Sequence, residues 1–257
     1  RDTGAAFKRK HSWTNESFTD LYIVQPDSID LKPIKFSKKV NTKWNESSAV
    51  FTKDGNTMYF TRNNFHQGKK GVDTDQTTLL KIYKAVKTDK EWHVEGALPF
   101  CKDDFNVAHP ALSSDEKTLY FASDMPGGFG QSDLYKVIIN EDGTFGIPEN
   151  LGTEINTLGR ETFPFVTKNN ELYFASDGHE NLGGLDVFIS NIVDNKTFSR
   201  PQNVGEPINS RADDFGFIIN VENKTGYFTS NRSVKSAKDN IYSFKELTVL
   251  PCETIVV

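Results

Sequence analysis

Leu119-Tyr120-Phe121-Ala122-Ser123-Asp124, followed by Asp133-Leu134-Tyr135, decides the fold, because variants of this pair return down the whole chain. The Tyr-Phe step recurs at Tyr59-Phe60, Tyr120-Phe121, Tyr173-Phe174 and Tyr227-Phe228, at intervals of 61, 53 and 54 residues. A second landmark, the aromatic of the Asp-x-Tyr segment, falls at Tyr22, Tyr83, Tyr135, Phe188 and Tyr242, spaced 61, 52, 53 and 54. Two independent rulers keep one step. A step of this size filled with short strands points to the blades of a β-propeller.

Residues 160–205 show the unit most clearly. Thr162 to Val166 reads as a first strand, Lys168-Asn169-Asn170 as a tight turn, and Glu171 to Ser176 as a second strand rich in residues that suit a pleated sheet. A glycine loop reverses the chain into a third strand, Leu185 to Ser190. A polar, proline-containing outer strand, Phe198 to Val204, follows. The other repeats place a partial blade at 1–44, then blades at 45–105, 106–158, 159–211 and 212–257, with residues 254–257 as the outer strand of the last. The expectation is one all-β domain, a five-bladed propeller of four-stranded antiparallel blades whose first blade lacks its first two strands. The start at Arg1 inside a half repeat reads as a fragment of a longer precursor.

Composition narrows the function. Twenty Phe, eight Tyr and three Trp supply the large surfaces that blades bury against each other, and a hydrophobic content of 36% argues against a membrane-inserted segment. The net charge of -5 argues against a nucleic-acid partner. Cys101 and Cys252 are the only cysteines, too few for a disulfide scaffold or a zinc cluster. No Gly-x-Ser-x-Gly elbow is present, and the five histidines form no metal-spaced pair, so nucleophilic catalysis has no support.

Asp20, Asp133 and Asp186 stand two residues before the third-strand aromatic, where the other repeats carry Lys81 and Asn240. A short carboxylate there can accept hydrogen bonds from the preceding loop, a structural role. The glycine loops at 126–130 and 181–184 run from strand to strand rather than into a helix, so they are turns and not phosphate cradles.

At the entry to the first strand, Glu46, Val107, Glu161 and Asp214 share one position, with Asp213 beside the last. First strands line a propeller's channel, so Glu46, Glu161, Asp213 and Asp214 are the candidate binding residues of a channel mouth. The sharper reading is a Ca²⁺ or Mg²⁺ ion held there by hard oxygens. The structural reading, favoured here, pairs each carboxylate with a neighbouring blade, for example with Arg232 after the second strand or Arg1 at the equivalent place. No other cofactor and no catalytic residue is expected. Lys8, Arg9, Lys10, Lys69 and Lys70 fall in second-to-third strand loops on the same expected face and are the candidate partner-facing residues.

His109 to Tyr135, Thr162 to Phe188 and Asp213 to Arg232, with the linkers "NLGTEINTLGRETFPF" and "NVGEPINSRADDFGFI", resemble the WD-like propeller repeats of TolB and of OmpA-family envelope proteins of the Bacteroidetes. The linkers are closer to the second group, whose best-known kind is the PorE type of type IX secretion. That resemblance implies a periplasmic, outer-membrane-associated protein without enzymatic activity. Its partners would be envelope proteins of a secretion or gliding complex, and peptidoglycan would be reached only through domains outside this chain. The competing readings are a five-bladed propeller glycosidase or carbohydrate-binding domain, and a TolB-like role. Lys81, Val107 and the long loop 63–78 break the repeat and mark where a dedicated contact is expected.

Overall fold

The computed structural model describes residues 18–24, 32–194, 196–233 and 238–247, and among these it contains strands, turns and bends but no helix. They fall into two compact units, 1–104 and 105–257.

The first unit opens with β1 (Tyr22–Ile23) and β2 (Ile34–Lys35), which pair antiparallel. Next come β3 (Glu46–Phe51), β4 (Thr57–Asn63), the small hairpin β5 (Phe65–His66) and β6 (Lys69–Lys70), then β7 (Leu80–Thr88) and β8 (Glu91–Ala97). β3, β4, β7 and β8 form one four-stranded antiparallel sheet. Its buried face carries Met58, Phe60, Tyr83, Ala85 and Trp92, against which Val40 of the incoming linker packs.

The second unit contains three sheets. β9 (Val107–Leu112), β10 (Thr118–Ser123), β11 (Asp133–Ile138) and β12 (Glu149–Asn150) form the first. β13 (Glu161–Val166), β14 (Glu171–Ser176), β15 (Asp186–Asn191) and β16 (Gln202–Asn203) form the second. β17 (Asp214–Asn220), β18 (Thr225–Ser230) and β19 (Asn240–Lys245) form a three-stranded third. One core spans the first two sheets, where Tyr120, Ala122 and Leu134 meet Leu172, Phe174 and Phe188. Another spans the second and third, joining Tyr173, Val187 and Ile189 to Phe217, Ile219 and Phe228. Large rings that one narrow sheet could not cover are thus buried by its neighbour, which is how blades stabilise each other.

The described residues therefore form four blades rather than the five expected. At the place of the partial first blade the described residues form the two-residue strands β1 and β2, within its expected third and fourth strands, and these are exposed. Strands that short present no face to bury. The expected outer strand at 254–257 lies outside the described residues, as do Lys8, Arg9, Lys10 and Cys252. Cys101 is a free thiol.

Each innermost strand carries a bulge at the same point. Ser48, His109, Phe163 and Gly216 all have positive φ there, and the register to the second strand shifts across them.

Candidate functional site

The acidic residues at the strand entries are buried and bound into turns. The Glu161 carboxylate accepts from the Thr157 backbone N–H at 2.8 Å, from Thr157 Oγ1 at 2.7 Å and from Ser176 Oγ at 2.6 Å. Glu46 accepts from Thr42 N at 3.0 Å and Thr42 Oγ1 at 2.6 Å, and Arg62 Nε lies 3.0 Å from it. Asp214 takes Ser210 Oγ at 2.8 Å and Arg232 Nη2 at 2.6 Å. A hydroxyl four residues upstream folds the loop back onto the acid, so the spacing Thr/Ser-x-x-x-Glu/Asp is a latch at the start of each of these blades. Burial pushes the Glu46 carboxyl up and the Arg62 guanidinium down, both against the ion pair they form.

Asp213 is engaged as well. Its carboxylate accepts from Leu185 N at 3.0 Å and Asn231 Nδ2 at 2.9 Å. The same clasp, between the residue before the first strand and the residue after the second, joins Asn106 to Asp124 and Arg160 to Asp177. Among the described residues no three His, Cys, Asp or Glu side chains gather as a metal-ligating group.

A second latch holds three of the third strands to the linker that follows. Asn156 accepts from the Leu134 N–H and donates to the Leu134 carbonyl, at 2.8 and 3.0 Å. Asn209 does the same to Val187, both at 2.8 Å, and Asn41 to Leu21, both at 2.9 Å. The repeat Asp residues brace the loop before that strand. Asp133 accepts from Phe129 N and Gly130 N at 2.7 and 3.0 Å, and Asp186 from Leu182 N at 2.6 Å. Asp20 instead pairs with Lys35 at 2.5 Å.

The second blade departs from the pattern. The buried Lys81 stands where three other repeats carry Asp and reaches Asp103 and the Cys101 carbonyl, while Cys101 Sγ lies 3.8 Å from the Ile82 carbonyl in the place of the latch Asn. Burial raises the Cys101 thiol to about 11, leaving it a thiol and a poor nucleophile at neutral pH.

The linker carbonyl just before each latch Asn also has a partner. Arg62 Nη2 donates to Val40 O at 2.6 Å, His179 Nε2 to Ile155 O at 2.8 Å, and Arg232 Nη2 to Ile208 O. Sequence reasoning missed these contacts, although the Val/Ile-Asn-Thr/Ser triplets at 40–42, 155–157 and 208–210 were there to align.

Unlike the acids, Lys69 and Lys70 are exposed, on the β5–β6 hairpin. Gln67 and Gly68 turn it with φ of 48 and 83, a pair of positive values that suits a two-residue hairpin loop. The hairpin lies over Trp44, whose ring packs against Phe18 and Phe65 at 5.8 and 5.7 Å between centroids. Lys43 Nζ and Lys70 Nζ sit 5.9 and 5.7 Å from that ring. The arrangement is an exposed cationic hairpin packed over a half-buried aromatic cluster, suited to anionic groups of a partner.

In the second unit the innermost strands carry a stack. His109 lies on Phe163 at 3.8 Å, Phe163 on Phe215 at 4.8 Å, and His109 Nδ1 is 2.7 Å from Thr162 Oγ1. Burial lowers His109 to about 4, so the imidazole is neutral at pH 7.

No protein-family model and no curated protein sequence matches the chain. Among solved structures, a TolB-like protein of Agrobacterium tumefaciens is similar with a TM-score of 0.52 and 15% identity, over 90% of this chain and 71% of that one. An α-L-arabinofuranosidase from Lactobacillus brevis follows at 0.45 and 14%, over 73% and 64% of the two chains. A periplasmic gluconolactonase from Pseudomonas aeruginosa gives 0.43 and 11%, over 91% and 65%. The first likeness shows the fold, a TolB-like β-propeller; the other two carry no argument.

Proposed function

We propose that the chain is a non-catalytic protein-interaction propeller of a periplasmic envelope protein, serving a secretion or gliding assembly of the type IX kind. One observation carries the reading. Glu46, Glu161, Asp213 and Asp214, the acidic groups best placed for chemistry, are taken up in holding linkers and loops to the blades, whereas the long, non-repeated loop 63–78 presents Lys69 and Lys70 outward over the half-buried Trp44. A platform of fixed strands with one distinctive cationic face is built to dock a partner rather than to turn over a substrate. The OmpA-like sequence resemblance supports the periplasmic setting. Attachment to peptidoglycan and the outer membrane belongs to domains outside this chain.

The test uses the exposed lysines. The double variant Lys69→Glu/Lys70→Glu should keep its melting temperature while losing at least tenfold in capture of envelope proteins from the native organism. Unchanged capture would contradict the reading, and hydrolysis of a glycan by the wild type, abolished in Glu161→Gln, would replace it with the glycosidase alternative.

A further inference from the structure

Two grooves occupy one repeat position, between the linker entering a blade and the outer part of that blade, and they differ in chemistry; a third groove, in the last blade, lies against the first strand and the end of the third. In the fourth expected blade the groove is about 930 Å³ with Glu154, His179, Glu180 and Arg200 along it, a mixture of signs. In the last it is about 320 Å³ and largely apolar, with Val204, Ile208, Phe217 and Phe244. In the second it is about 270 Å³, and Lys39, Arg62, Phe65, His66, Trp92 and His93 line it with no carboxylate.

The second groove differs from that of the fourth blade by a swap in the latch. In the fourth blade His179 is spent on the Ile155 carbonyl. In the second, Arg62 takes the equivalent Val40 carbonyl and also pairs with Glu46. His66, packed on the Tyr83 ring as His179 is on Phe188, is released from that duty, and its imidazole makes no hydrogen bond among the described residues. Burial and the Arg62 charge hold it below the ordinary imidazole range. Lys39 and His93 are exposed at the rim, and Trp92 offers an apolar wall.

We infer that this groove binds a carboxylate carried beside an apolar or aromatic side chain on the docked partner, with Lys39 as counter-charge, His66 and Gln67 as donors, and Phe65 and Trp92 as the apolar wall. The inference rests on the interaction reading above. The volume suits one residue-sized group. With Arg62 already engaged, Lys39 is the remaining full positive charge in the lining, which matches a monoanionic carboxylate better than a dianionic phosphate. On a protein of net charge -5, a groove lined by cations and imidazoles selects for such a group.

The experiment titrates the purified chain, followed by tryptophan fluorescence, with four probes: acetyl-Phe-Asp-Phe-amide, acetyl-Phe-Asn-Phe-amide, acetyl-Phe-Phe with a free carboxylate, and acetyl-Phe-Phe-amide. At least one carboxylate probe should bind at least tenfold tighter than its amide match, and which one does so tells a side-chain from a C-terminal carboxylate. Lys39→Glu, at an exposed position that leaves the fold intact, should abolish that preference, and His66→Gln should weaken it. Equal binding of matched probes, no binding of any, or a preference that survives Lys39→Glu would overturn the inference. Partner capture that survives Lys39→Glu but is lost in Lys69→Glu/Lys70→Glu would overturn it too while leaving the docking reading in place. Capture indifferent to all three lysines would remove the docking reading itself.

Discussion

Glu161 shows how little of a carboxylate's potential chemistry survives burial when its lone pairs are filled. Thr157 and Ser176 give it three hydrogen bonds and there is no solvent exposure, so it is a joint in the backbone. Glu161→Gln turns an amide N–H₂ toward a hydroxyl or backbone donor. It should cost about 1–3 kcal/mol of stability, read as a lower urea midpoint with unchanged m-value. His109 makes a pH-dependent contribution. Its folded value of about 4 lies below the ordinary ~6.5 of an unfolded chain. Above pH ~6.5 both states are neutral; as the pH falls toward 4 the unfolded chain takes up a proton that the folded one refuses, so stability falls. His109→Phe, which keeps a ring on Phe163, should flatten that part of the melting-temperature profile between pH 7 and 4.5.

At the scale of the element, the strands were legible and their joints were not. The second strand Glu171 to Ser176 coincides with β14, and the expected third strand at 185–190 is offset by one residue from β15. Alternation and β-branched or aromatic content suffice for strands that lie inside a sheet. The outer strand expected at 198–204 shrinks to Gln202–Asn203, because polar residues at an edge leave little to hold a longer ladder. Arg232 was readable as a carboxylate partner, but it serves Asp214 of its own blade rather than a neighbouring one, and Thr157 and Thr42 were not readable as partners of Glu161 and Glu46, since a hydroxyl is common in any loop. The Asn latch was missed for the same reason, although its effect is large. Asn156→Ala strips the buried Leu134 N–H and carbonyl of their partners, and should cost about 2–4 kcal/mol by chemical denaturation, with local hydrogen exchange at Leu134 rising first.

For the whole molecule, the period was enough to give the class of fold but one blade too many. A repeat counts units by their landmarks, and at Tyr22 the described residues add to the landmark the two-stranded pair of β1 and β2, not a four-stranded blade. The same period concealed function, because residues repeated in nearly every blade are scaffold, and what sets this chain apart is where the repeat breaks: Lys81 against Asp103, Cys101 in the place of Asn, and the β5–β6 hairpin over Trp44. The most direct test of the docking claim is a photo-crosslinking residue at position 70, with one at the exposed turn position 117 as control, in the full-length protein within its native envelope. The account predicts an adduct with an envelope protein from position 70 and none from 117. No adduct at 70, the same adduct at both positions, or adducts with cytoplasmic proteins alone would contradict it.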